Sequence, residues 1–203
     1  MPIRNIVFDL GGVLIDWNPR YVYRQIFDTE EEVDNFLSNI TVMEWNVQQD
    51  AGRTLSEATQ ILIAKHPKWK KEIEAYYGRW EEMLGGPIDG TVDILKKCID
   101  DERYRVLALT NWSAETFPIA QKHYDFLSWF EGIVVSGEEK CIKPDPTIYN
   151  ILLSRYNLIP EETVFIDDNM NNIQAAQALN IHGIHFTTPE ELSMDFARLS
   201  IIR

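Results

Sequence analysis

The chain opens on a short apolar run, Ile6-Val7-Phe8, that shows no polar alternation and stops at Asp9. A run of this kind suits a strand covered on both faces, as in a parallel sheet between helices. Gly11-Gly12 follow at once and let the chain turn sharply beside the carboxylate. After Asp16 the apolar positions change to helical spacing. Thr29-Glu-Glu-Glu32 has capping-box form, with Val33, Phe36, Leu37 and Ile40 on one side of the run it opens. Thr54-Leu-Ser-Glu57 opens a second run carrying Ala58, Ile61, Leu62 and Ile63. A third helical run is predicted from Trp69 to Leu84 through Ile73, Tyr76, Tyr77 and Trp80, and no strand is expected in this block. It ends at the breakers Gly85-Gly86-Pro87.

From Asp89 helix and strand alternate. Strands are predicted at Arg105–Leu109, Gly132–Ser136, Thr163–Ile166 and Gly183–His185. Helices are expected over Thr91–Cys98, from about Ser113, from Asp145-Pro146, over Asn171–Leu179 and after Thr188. Such alternation predicts a parallel sheet with right-handed crossovers. The expected fold is therefore α/β, a Rossmann-like three-layer core of residues 1–15 and 88–203, interrupted by a small all-α insert, residues 16–87.

Composition narrows the function classes. The 203 residues are 45% hydrophobic, enough for a substantial core, and the formal net charge is -13. That surface repels phosphate backbones and anionic lipid, so neither nucleic acid nor a membrane is expected as a partner. Cys98 and Cys141 are too few for a disulfide framework or a cysteine metal site. No apolar run approaches the roughly 18 residues of a membrane span, and the first strand starts too early for a signal peptide. A cytoplasmic protein, monomeric or homodimeric, is expected.

The strand ends carry the chemistry. A parallel sheet turns all its carboxyl ends to one edge, where open α/β folds bind ligands. There the order is Asp9, Thr110-Asn111, then Lys143 in the loop after the next strand, then Asp167-Asp168. Acids, a hydroxyl, an amide and an ammonium so gathered suit phosphoryl transfer to a carboxylate. One Asp attacks phosphorus, a Mg2+ held by carboxylates offsets charge, and the donors bind the equatorial oxygens. Two adjacent acids at one strand end repel without a cation. The four histidines show no metal spacing and read as structural, as does Cys141.

Four motifs in this order, Phe8-Asp9-Leu-Gly-Gly, Leu109-Thr110-Asn111, Lys143-Pro-Asp-Pro and Phe165-Ile-Asp167-Asp168-Asn-Met-Asn-Asn172, resemble those of the haloacid dehalogenase superfamily. The resemblance spans the chain, with the helical insert in the place of the family's mobile cap. It implies a Mg2+-dependent phosphatase acting on a small phosphorylated metabolite. Asp9 would be the nucleophile and a metal ligand, beside the Gly11 carbonyl and Asp168. Lys143 would hold the phosphate and the Asp9 carboxylate. Thr110 and Asn111 would bind phosphoryl oxygens, with Asp167 and Asn172 supporting the site.

One position departs from the pattern. The family's phosphatases carry a general acid and base two residues after the nucleophile, and here that residue is Gly11. Loss of such a group costs about 10²–10⁴ in rate. The chain resembles a sugar-phosphate phosphatase group that begins Asp-Leu-Gly and includes enzymes acting on glucose 1-phosphate. In that reading Asp16, Glu44 or Asp50 stands in for the missing acid, or the leaving group needs none. A slow, promiscuous enzyme and a binding module without turnover are the alternatives, and a 2-haloacid dehalogenase or a phosphomutase fits less well. Met43–Arg53 reads as a loop reaching into the pocket, with Trp45 stacking on a sugar and Gln48 or Asp50 bonding hydroxyls. Core or hinge packing is the expectation for Trp17, Trp69 and Trp80, and the competing one for Trp45.

Overall fold

The computed structural model describes residues 2–201. Its centre is a five-stranded parallel sheet in the order β5-β4-β1-β6-β7. The strands are β1 (Asn5–Phe8), β4 (Arg105–Thr110), β5 (Gly132–Val135), β6 (Thr163–Asp167) and β7 (His182–His185). Side chains alternate between two covered faces. Ile6, Phe8, Val106, Ala108 and Ile166 enter one apolar core, while Val7, Leu107, Leu109 and Phe165 enter the other. The residues of Ile6-Val7-Phe8 are fully buried, as their unalternated pattern predicts.

The layers come from the helices between the strands. They are α6 (Asp89–Ile99), α7 (Phe117–His123), α8 (Ser136–Glu139), α9 (Pro146–Tyr156), α10 (Met170–Ala178) and α11 (Pro189–Arg198). Asp145 caps α9, accepting the Thr147 N–H at 2.8 Å, with Pro146 in the first turn, where its missing N–H costs nothing. The helix expected from Ser113 begins at Phe117 instead, because Pro118 is tolerated only in a first turn.

Residues between Ile15 and Pro87 form a helical insert on a narrow stalk. Its helices are α1 (Arg20–Tyr23), α2 (Glu30–Asn39), α3 (Met43–Asp50), α4 (Leu55–Lys65) and α5 (Lys70–Gly78). The capping box at Thr29 is complete, with Glu32 bonding back to the Thr29 N–H. The insert has its own aromatic core, where Tyr23 meets Phe36 at 4.7 Å and Trp45 stands edge-on to Tyr76 at 5.1 Å between ring centroids. Two expectations fail here. The block does contain strands, since β2 (Ile15–Trp17) pairs antiparallel with β3 (Leu84–Pro87) as a two-stranded ribbon. Pairing across some seventy residues leaves no local pattern, and Gly85 belongs in the ribbon because a Cβ there would meet Asp16 Oδ2 at 2.3 Å. The run ending at Leu84 accordingly breaks after Gly78 into a 3-10 turn, Trp80–Met83, before that strand. No helix among the described residues is long and apolar enough to cross a membrane.

Candidate active site

Strand order reverses at β1, the chain moving first to β4 and β5 and later to β6 and β7. Ligands of open α/β sheets bind at such a switch point, beyond the carboxyl ends. Phe8 pairs with Ala108 and Ile166. The next residue along, Asp9, is thus level with Leu109 and Asp167. Its Oδ1 accepts the Leu10 N–H at 2.7 Å and lies 2.9 Å from Lys143 Nζ. Lys143, buried to 2% exposure, also reaches Asp167 Oδ2 at 2.7 Å and the Leu109 carbonyl at 2.9 Å.

Each neighbour has a separate task. The Asp167 oxygens are spoken for by Lys143, the Asn169 N–H and both contacts from Asn172 Nδ2 at 3.0 and 3.1 Å. Asp167 therefore orients the lysine. Thr110 Oγ1 is buried and has no partner, so it is free to bind an incoming oxygen. Asn111 differs from expectation. Its Oδ1 accepts the Lys143 N–H at 2.8 Å and its Nδ2 donates to the Lys143 carbonyl at 3.0 Å. That two-way clamp holds the lysine loop in place and commits the amide that was expected on a phosphoryl oxygen.

The carboxylates of Asp9, Asp167 and Asp168 each place an oxygen within 4.8 Å of the others. Burial pushes the Asp9 carboxyl up to about 8, against the pull of Lys143 and with the Asp167 and Asp168 charges adding to the rise. Burial opposes the Lys143 charge too, but Asp9 and Asp167 outweigh it and raise its pKa. Three acids around one ammonium are an unbalanced set, and a hard, oxygen-seeking dication fits them. Gly12 makes the closeness possible. Its φ is +74°, and a Cβ there would lie 2.3 Å from Asp168 Oδ2.

Above this cluster is a cavity of about 310 Å³ between core and insert. Gly11, Gly12, Asn111 and Asp168 line it from the core, and Trp17, Met43, Asn46, Asp50, Tyr77 and Trp80 from the other side. Residues 43–50, expected as a loop, are helix α3, whose Asn46 and Asp50 face the cavity. Trp45 does not line it. The indole is buried, donates to the Ala58 carbonyl at 3.1 Å, and packs in the insert core. Trp17 and Trp80 pack against the core as expected, and they also supply the cavity's aromatic wall. Glu44 and Gln48 are exposed, and Asp16 is tied to the Tyr21 hydroxyl on the stalk. Trp112 and Ser113 also line the cavity and were missed, although they directly follow Thr110-Asn111. Burial pushes the Asp50 carboxyl up to about 7, partly offset by Lys143 and the Ser113 main chain.

Residues 3–180 match the model of the haloacid dehalogenase-like hydrolases. The chain is 27% identical over 194 residues to a sesquiterpene phosphatase from Aspergillus oryzae, covering 95% of this chain and 94% of that one. It is 25% identical to a phosphorylated carbohydrates phosphatase from Thermotoga maritima, over 89% of this chain and 83% of the relative. A haloacid dehalogenase family enzyme from Bacteroides thetaiotaomicron, solved with magnesium and inorganic phosphate, superimposes with a TM-score of 0.71 at 26% identity, over 96% and 99% of the two chains. A match over this much of the chain, joined to an acid cluster and buried lysine at the switch point of the sheet, settles its kinship: the chain belongs to the haloacid dehalogenase-like hydrolase family.

Proposed function

We propose that this chain is a Mg2+-dependent phosphatase that hydrolyses a small phosphomonoester, of the sugar-phosphate class, through a phosphoryl group carried on Asp9. The observation that carries the reading is the cluster of Asp9, Asp167 and Asp168 around buried Lys143, beneath a cavity of metabolite size. Asp9, Asp168 and the Gly11 carbonyl would hold the ion, which when bound offsets the carboxylate charge and polarises the phosphoryl oxygens.

The chain's own residues do the rest. Leu10 N–H and Lys143 fix Asp9 through Oδ1, leaving Oδ2 to attack phosphorus. Lys143 and the Thr110 hydroxyl meet the charge that grows on the transferring group. The insert, residues 16–87, acts as a cap over the core of residues 1–15 and 88–203 and keeps bulk water out during attack. Paired acids at Asp167-Asp168 count against a 2-haloacid dehalogenase, whose family pattern lacks them.

The two relatives named above act on very different groups by their names, and the cavity favours the carbohydrate. Asn46, Asp50 and Ser113 put polar groups in its lining, which hydroxyl-rich substrates can bond and an isoprenyl chain cannot. Aromatic faces of Trp17, Trp80 and Tyr77 suit the apolar face of a sugar ring.

The test is hydrolysis of p-nitrophenyl phosphate and of a panel of sugar and prenyl phosphates, with Mg2+ and with EDTA, by the wild type and Asp9→Asn. Turnover that needs Mg2+, vanishes in Asp9→Asn and favours sugar phosphates supports the reading. No turnover at any Mg2+ concentration favours a binding module instead.

A further inference from the structure

Asp50, at the end of α3 in the insert, reaches a cavity whose floor lacks the usual acid. We propose that Asp50 supplies the proton that Gly11 cannot, acting as the general acid and then the general base of the reaction proposed above, on which this inference rests. The space is available. A Cβ built on Gly11 meets nothing within 4 Å, so the position where a side-chain acid would stand opens into the cavity that Asp50 lines from the opposite side.

The backbone holds Asp50 there. Gly52, two residues on, has φ +98° and presses against the core, where its Cβ position lies 3.0 Å from Lys140 Cγ and 3.3 Å from the Gly137 carbonyl. Leu55 N–H donates to Glu115 Oε1 of the core at 2.8 Å. The turn carrying Asp50 is therefore seated at two points, on the loop after β4 and on α8 after β5. The charged groups around it are otherwise engaged. Arg53 is turned onto Gln49 and the Trp45 carbonyl, Glu115 is on Leu55, Glu139 is on Arg155, and Lys143 lies between Asp9 and Asp167. Tyr77 of α5 bonds Asn46 and Gln49, Asp168 lies across the cavity, and Lys140 stands beside Gly52 at the end of α8. Burial raises the Asp50 carboxyl to about 7, which leaves it partly protonated near neutral pH, as a dual acid and base requires.

Asp9 Oδ2 bonds to phosphorus, the bond to the ester oxygen breaks, and that oxygen takes its electron pair and the Asp50 proton to leave as an alcohol. Water then attacks phosphorus and gives its proton to the Asp50 carboxylate. The phosphorus–Asp9 bond breaks toward Asp9, and inorganic phosphate leaves.

The experiment compares wild type, Asp50→Asn, and the double variant Gly11→Asp with Asp50→Asn, all with Mg2+, on p-nitrophenyl phosphate and glycerol 2-phosphate. Nitrophenolate leaves without a proton, whereas an alkoxide does not. In Asp50→Asn we expect kcat/KM for glycerol 2-phosphate to fall about 10²–10⁴-fold and that for p-nitrophenyl phosphate to change less than about threefold, since kcat/KM reports the step in which the alcohol departs. A burst of nitrophenolate should precede slow steady turnover, because breakdown of the phosphorylated Asp9 then lacks its base. Gly11→Asp in the same chain should recover at least about tenfold on glycerol 2-phosphate. Equal losses of kcat/KM on both substrates, or no loss on glycerol 2-phosphate, would overturn the assignment. Wild type inactive toward both with Mg2+ would overturn the phosphatase reading itself.

Discussion

Asp50→Asn should make the metal-free protein more stable at alkaline pH and leave it unchanged in acid. In the fold the carboxyl is lifted from 3.8 to about 7 by burial. Between those values the unfolded chain has released its proton while the folded chain still holds it, so folding stability falls as pH rises through that window. Above about 7 both states are ionised and the cost is complete; below about 3.8 both are protonated and there is none. Each pH unit of the gap corresponds to about 1.4 kcal/mol, so a gap of about three gives a ceiling of about 4 kcal/mol. Water at the cavity mouth screens the charge and reduces this to about 2 kcal/mol. Asparagine keeps the shape and has no charge to bury. Removing the carboxylate also removes a weak attraction for Lys143, but that lysine already has Asp9 and Asp167 within 2.9 Å. For a chain of this length about 2 kcal/mol corresponds to a gain of about 4–8 °C in Tm. Thermal melts of both proteins in EDTA at pH 4, 5.5, 7 and 8 are the assay. A Tm difference that stays flat from pH 4 to 8, or one in which Asp50→Asn is the less stable at pH 8, would refute the reasoning.

Two further substitutions probe the site. Gly12→Ala should destabilise the fold by about 1–3 kcal/mol through its left-handed φ. It should also raise the Mg2+ concentration needed for half-maximal activity at least about tenfold, because the new methyl displaces Asp168. Melts and a Mg2+ titration check both. Asn46→Ala should raise KM for a sugar phosphate about tenfold by deleting an amide from the cavity lining and leave that for p-nitrophenyl phosphate nearly unchanged, which steady-state kinetics on the pair will show.

Much of this arrangement was legible in the residue order. Asp9 and Asp168 each follow a strand, Thr110 ends one and Lys143 lies in the connection after another, and parallel strands bring such positions toward one edge. The Thr29 and Asp145 caps were readable because capping is local chemistry. What escaped depended on distant partners. The ribbon of Ile15–Trp17 with Leu84–Pro87 is made by contacts across the insert. Residues 43–50 lack a marked apolar face because α3 is covered on one side by the insert and turns Asn46 and Asp50 to the cavity on another. Trp45 and Trp80 look alike in sequence and both are buried, and only packing decides that the second also lines the site. Asn111 was assigned to the phosphate on its position beside Thr110, but its amide matches the main-chain N–H and carbonyl of Lys143, a match visible only once the two loops are side by side.

Charge counting links the metal, the substrate and Asp50. Asp9, Asp167 and Asp168 with Lys143 carry a formal charge of -2 when all are ionised. A phosphomonoester brings about two more negative charges, so without compensation the site would repel its substrate, as would a surface with a net charge of -13. A single dication cancels the cluster, and the ester then meets a neutral floor with the Thr110 hydroxyl still unpartnered. A further ionised carboxylate in the same cavity would restore the repulsion. Asp50 avoids that when it is protonated, which its upward shift allows near neutral pH, and in that form it has the proton an alkoxide needs. Carrying this acid on the insert has a further consequence. On the proposal above, Asp50 would meet the ester with Gly52 seated against Gly137 and Lys140, which would tie proton donation to that seating. An acid at position 11 would be present whether or not the insert were seated; one at position 50 would make that seating a condition of the chemistry.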